Sequence, residues 1–100
     1  MAAEIVDNDS ANRYEAWDNG ELVGLSEYRR SANQIAFIHT EVNPDHKGEG
    51  IGAQLATVSL DEARQAELSV VPACPFYEKW IKRHPEYSDL VSAEFRKESL

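Results

Sequence analysis

Cysteine is nearly absent from this 100-residue chain, where Cys74 stands alone, so no internal disulfide can staple the fold and no zinc ribbon can be assembled. A reducing compartment and no structural metal are the expectation. Positive charge is also scarce: ten Lys and Arg face eighteen Asp and Glu, a formal net charge of -8. Nucleic-acid binding through phosphate neutralisation is thereby disfavoured. No apolar run reaches the length of a membrane span, and no basic start followed by an apolar stretch marks a leader. The expectation is a soluble, cytoplasmic protein with neither membrane nor nucleic-acid partner. Two separate cores do not fit in 100 residues, so residues 1–100 read as one domain, with residues 1–10 partly disordered.

What is present has a clear order. Ile5 and Val6 offer the start of a strand, and Tyr14 and Trp17 lie in a second candidate ahead of Asp18-Asn19-Gly20-Glu21. Asn-Gly between two apolar runs predicts a hairpin, because both residues tolerate positive φ. The returning strand runs from Leu22 through Tyr28, Ser31-Ala32-Asn33 turns the chain, and Gln34 to Val42 forms a third strand that ends before Pro44. Simple alternation puts Ile35, Phe37, His39 and Glu41 on one side of it and Ala36, Ile38, Thr40 and Val42 on the other. From Ile51 to Ala66 the apolar residues recur at helical spacing, Ser69-Val70-Val71 fits a short buried strand, and Pro75 opens a helix that ends at His84-Pro85. Trp17 and Trp80 are assigned to the core. The fold class that follows is α+β, an α/β sandwich with a mixed sheet, antiparallel hairpins, a central helix and a C-terminal helix.

Between the third strand and the central helix lies Pro44-Asp45-His46-Lys47-Gly48-Glu49-Gly50-Ile51-Gly52. Three glycines in five residues let backbone N–H groups converge, and the N-terminus of the new helix faces the same point. Such a segment is either an anion cradle or a flexible loop with no ligand. A Walker A loop would need Gly-Lys followed by Ser or Thr, but Gly52 is followed by Ala53 and Gln54. Gly48, Gly50 and Ala53 match a loose dinucleotide fingerprint, yet Leu68 and Ser69 stand where its acidic residue belongs.

Lys47-Gly48-Glu49-Gly50-Ile51-Gly52 resembles the Gln/Arg-x-x-Gly-x-Gly/Ala pyrophosphate motif of the GNAT superfamily of N-acetyltransferases. Ala73-Cys74-Pro75-Phe76-Tyr77-Glu78-Lys79 is similar to that family's cofactor-side strand and helix. With His39-Thr40-Glu41-Val42 and His84-Pro85-Glu86-Tyr87, the pattern resembles a small stand-alone branch of about this length, over Arg13 to Val91. Lys47 departs from the usual Arg or Gln, keeping the charge but losing the planar fork. The resemblance implies a minimal GNAT-like fold and acetyl-CoA or CoA as cofactor, bound by Val42, Asn43, His46, Lys47, Gly48, Glu49, Gly50, Ile51, Gly52, Cys74, Phe76 and Lys79. The implied reaction moves an acetyl group to an amine, small or peptidic, by direct attack in a ternary complex. The family's N-terminal helices and last hairpin are missing, which opens the acceptor pocket or leaves a homodimer to complete it.

The resemblance also implies catalytic roles, each with a plainer alternative. Glu41 is either a base acting through water or a strand-end carboxylate. The backbone N–H groups around Val42 and Asn43 are the candidate donors to the thioester carbonyl. Tyr77 is either a general acid or a packed aromatic residue. Cys74 is either a nucleophile activated by His39 or His84, or a small buried hydrophobe beside the cofactor sulfur. Lys79, Lys82 and Arg83 either grip the outer phosphates or form the solvated face of a helix. The rival function is a CoA-binding sensor or interaction module without turnover.

Overall fold

In the computed structural model, which describes residues 3–93 and Phe95, five strands form one sheet. They are β1 (Glu4–Asn8), β2 (Arg13–Asp18), β3 (Glu21–Arg30), β4 (Gln34–Val42) and β5 (Ser69–Pro72), adjacent in chain order. The first four run as an antiparallel meander and β5 lies parallel to β4. That last step is made by helix α1 (Ile51–Gln65), and α2 (Pro75–Arg83) follows β5. Asn19 and Gly20, at φ 51° and 78°, make the β2–β3 turn that Asn-Gly predicts. Ile5 and Val6 lie in β1 as the sequence suggests, while residues 1 and 2 of the stretch expected to be partly disordered lie outside the described residues. Residues 4–8 pair along β2, and Ala3 exchanges two hydrogen bonds with the Gln54 side chain, N–H to Oε1 at 3.1 Å and Nε2 to O at 3.2 Å.

Both helices pack on the same face of the sheet. Gly24 lies so close to α1 that an added Cβ would stand 2.8 Å from Ile51 Cγ2 and 3.3 Å from Leu55 Cδ1. Tyr28, on the same side by strand alternation, pairs with Phe37, whose ring stacks on Tyr77 of α2 with centroids 4.1 Å apart. The core is therefore a single layer between sheet and helices, holding Val23, Phe37, Leu55, Leu60, Val70 and Tyr77 at full burial. The opposite face carries Leu25, Glu41 and Glu15 in one cross-strand row and Glu27, His39 and Arg13 in the next. No helix among the described residues is long and apolar enough to cross a membrane.

One irregularity in β4 corrects the simple alternation. Glu27 pairs with His39 and Tyr28 with Phe37, so Ile38 is an extra residue, a β-bulge. Past the bulge the sides exchange. Ile35 and Phe37 face the helices together with Thr40 and Val42, while His39 and Glu41 face outward. Pairing with β5 also ends there, at Phe37↔Pro72. A bulge bends its strand and increases its twist, so the last residues of β4 run on without a parallel neighbour and leave an opening beside them.

Candidate functional site

The opening between β4 and β5 meets the glycine loop at the start of α1. Asn43 begins the loop by accepting the Asp45 N–H on its side-chain oxygen at 3.0 Å, which with Pro44 closes a short 3-10 turn over Pro44–His46. Gly48 and Gly50 then take φ of 87° and 80°, conformations that L side chains resist. A Cβ at either would meet nothing within 4 Å, so the space above the loop is open. Gly50 caps α1, and its carbonyl accepts the helix's first bond from Gln54 N–H at 3.0 Å. The N–H groups of Ile51, Gly52 and Ala53 precede that bond and have no acceptor in the helix. They point with the positive end of the helix dipole into the open space, a seat suited to a diphosphate. The ring of Phe76 rests on this first turn, since a Cβ at Gly52 would come within 3.0 Å of its Cζ.

The ladder fixes which strand donors face the opening. Asn43 N–H donates to Val23 O at 2.8 Å, so it is spent on β3 and is withdrawn as a thioester donor. Antiparallel alternation then turns the Val42 and Thr40 N–H groups away from β3, toward the opening. At its base the Cys74 thiol donates to Thr40 Oγ1 at 3.4 Å, and Thr40 Oγ1 lies 3.4 Å from Ser26 Oγ. Cys74 N–H, bonded to Phe37 O at 2.9 Å, closes the last link between β4 and the chain that follows β5.

The proposed catalytic residues separate. Tyr77 is fully buried, stacked on Phe37, with its hydroxyl 2.8 Å from Ser59 Oγ. Burial pushes its pKa up to about 12, and the packing reading of Tyr77 describes it. Cys74 is 4% exposed and neither His39 nor His84 bonds it. His84 instead stacks on Trp80, rings 3.8 Å apart, with Nδ1 on Trp80 O at 2.8 Å. Glu41 stands on the outer face with His39, Oε2 to Nε2 3.0 Å, and both side chains are more than half exposed. Lys79, Lys82 and Arg83 are exposed on α2. Trp80 packs against the core, whereas Trp17 is half-buried and donates from Nε1 to Glu15 at 3.1 Å.

The contacts of Thr40 with Ser26 across the sheet and of Ser59 with Tyr77 between the helices were not legible in the sequence, because isolated hydroxyls carry no pattern and only packing brings them together. His46 and Glu49 were both among the expected residues, but neither their pairing nor the contact of His46 with Glu21 was expected. Nδ1 lies 2.9 Å from Glu49 Oε1 and Nε2 3.6 Å from Glu21 Oε1, on the hairpin that β2 and β3 form. The hydrogen bond to Glu49 raises the imidazole pKa above its ordinary value.

A family model described as GCN5-related N-acetyl-transferase matches residues 13–90. The solution structure of a GCN5-like protein from Staphylococcus aureus, described as an N-acetyltransferase, shares the fold with a TM-score of 0.71 at 23% identity. That similarity covers 92% of this chain and 90% of that one. The crystal structure of a ribosomal-protein-alanine N-acetyltransferase from Brucella melitensis biovar Abortus matches with a TM-score of 0.54 at 23% identity, over 81% of this chain and 61% of that one. The chain thus spans less than two thirds of the Brucella protein.

Proposed function

The chain belongs to the GCN5-related N-acetyltransferase family, whose members generally use acetyl-CoA, and on that premise we propose that it transfers an acetyl group from acetyl-CoA to an amine. The observation that carries the proposal is the junction of two features. A helix N-terminus with free N–H groups and positive-φ glycines adjoins an opening in the sheet edged by the Thr40 and Val42 N–H groups. The residues fit the cofactor: Lys47 to Gly52 hold its pyrophosphate, Phe76 lines the first turn of α1, and Cys74 lies at the base of the opening. When bound, acetyl-CoA supplies an activated acetyl group on sulfur.

The chain's own groups then divide the work. Val42 N–H would hold the thioester carbonyl oxygen of bound acetyl-CoA as a hydrogen-bond donor. Glu41 draws the proton from the incoming ammonium through water on the outer face, with His39 at 3.0 Å as the group beside it. The amine therefore approaches from the outer face, which the helices leave uncovered. Attack is direct, because Cys74 is buried with its thiol donated to the neutral Thr40 hydroxyl and not to a histidine or carboxylate among the described residues.

The test is calorimetry with CoA alongside acetyl-CoA consumption over a panel of polyamines, lysine peptides and arylamines. CoA binds with a Kd on the order of micromolar, and at least one amine raises consumption above the spontaneous rate. Gly50→Asp places a carboxylate at the anion seat, at a positive φ that Asp adopts only with some strain, and weakens binding by at least about tenfold. Unchanged binding in that variant removes the loop from the site. Binding without turnover on any amine makes the chain a CoA-binding module. A stoichiometric acetyl adduct in intact-mass analysis, lost in Cys74→Ala and discharged by amine, replaces direct attack with a covalent route.

A further inference from the structure

The loop assigned to the pyrophosphate poses an electrostatic problem. Glu49 lies inside it, and Asp18 and Glu21 project from the β2–β3 hairpin beside it. The nearest carboxylate oxygens of Asp18 and Glu49 and a ring nitrogen of His46 all lie within 4.8 Å of one another, and Glu21 Oε1 is 3.6 Å from His46 Nε2. Three carboxylates gathered at the loop oppose a diphosphate bound there, on a protein whose net charge is already -8. The group placed among them is a single imidazole. Its Nδ1 takes Glu49 from the loop and its Nε2 takes Glu21 from the hairpin, so one ring bridges two segments separated by 25 or more residues. The ring is 17% exposed, whereas the Glu49 and Glu21 side chains are 44% and 61% exposed, so both contacts lie at the water boundary.

We propose that His46 is a positioning residue for CoA binding: as an imidazolium it ties the glycine loop to the β2–β3 hairpin and neutralises the carboxylates beside the anion seat. Only the doubly protonated ring can hydrogen-bond Glu49 through Nδ1 and at the same time present an N–H and a positive charge to Glu21 at 3.6 Å. The neutral ring keeps one N–H, releases one segment, and leaves the three carboxylates facing the ligand. The other charged groups nearby in the chain are Asp45 and Lys47, neighbours of His46 in the loop. The hydrogen bond to Glu49, and Glu21 beside it, raise the imidazole pKa on the free protein, and a bound anion raises it further. Binding therefore takes up protons at pH values where the free ring is partly neutral, and affinity falls as pH rises through the imidazole pKa.

This rests on the reading of the loop as the CoA site, and the two fail differently. The probe is dephospho-CoA, which lacks the 3′-phosphate whose own ionisation would add protons to the balance. Calorimetry in buffers of different ionisation enthalpy counts the protons exchanged per ligand bound. The wild-type protein takes up a fraction of a proton near pH 7.5, and its affinity drops by roughly fivefold toward pH 9. His46→Asn removes the uptake and binds weakly at every pH. His46→Arg restores affinity with a flat pH profile, because its charge is permanent. A mere packing role predicts neither the proton uptake nor rescue by the larger, permanently charged side chain. Binding by the wild-type protein with no proton uptake, or with uptake that persists in His46→Asn, overturns the role of His46 and leaves the loop assignment standing. Absence of any binding heat overturns the loop assignment and this inference with it.

Discussion

Glu15 is the one acid buried in the outer face of the sheet, 5% exposed where Glu27 and Glu41 beside it meet water. Burial by itself pushes its pKa up, but three donors outweigh that: Arg13 Nε at 2.7 Å, Asn8 Nδ2 at 3.0 Å and Trp17 Nε1 at 3.1 Å. The carboxyl is held below its ordinary value, so its contribution to stability is present above the unfolded-state pKa and lost as pH falls through the depressed folded one. Glu15→Gln keeps the shape and removes the charge that all three donors address. It should cost about 1–2 kcal/mol at pH 7, and the gap from wild type should narrow as the pH is lowered through the acid range. Urea denaturation at several pH values measures both. A constant gap would mean that the site's stability comes from packing alone.

At the scale of elements, α1 lies tightly against β3 at Gly24. Its φ is not positive, so space rather than conformation demands glycine here. An alanine Cβ would press on Ile51 Cγ2 at 2.8 Å and on the Glu41 backbone oxygen at 3.2 Å. The strand cannot yield, and relief has to come from Ile51, the first residue of α1, which lies directly after the glycine loop. Gly24→Ala should therefore lower stability by about 1–3 kcal/mol and weaken CoA binding as well. Thermal denaturation and calorimetry on the same variant test the link, and a stability loss with CoA affinity unchanged would uncouple helix seating from the loop. The sequence displays Gly24 without its reason, which is long-range. The same division runs through the whole site. The Asn19-Gly20 turn, the α1 periodicity and the glycine loop were legible because their causes lie within a few neighbouring residues. The bulge at Ile38 was not, since it exists only as a mismatch between β3 and β4, and it decides which way Thr40, Glu41 and Val42 face. The pairing of β1, the loss of Asn43 N–H to Val23 and the reach of His46 to Glu21 are contacts of the same distant kind.

The molecule as a whole is thin, 40 × 28 × 19 Å, one layer of helices on one sheet. On the proposed reading, a slab of that depth would give each substrate its own approach: the polyanionic cofactor at the helix end and the loop, and the amine at the open outer face with Glu27 and Glu41. The net charge of -8 acts on the two in opposite directions. It repels the first, whose binding depends on backbone donors and a helix terminus acting at contact range, where salt screens little. It attracts the second over distances comparable to the Debye length of about 8–10 Å, where screening is strong. Raising the ionic strength from about 0.05 to 0.5 M should therefore raise KM several-fold for a polyamine of charge two or more, by the loss of that steering. The KM for a neutral arylamine should stay nearly constant, and that for acetyl-CoA should move less than the polyamine's. Initial rates measured with both acceptors across the salt series decide the point. Parallel salt dependences for the cationic and neutral amines would show that the acidic surface keeps the protein in solution without selecting its acceptor.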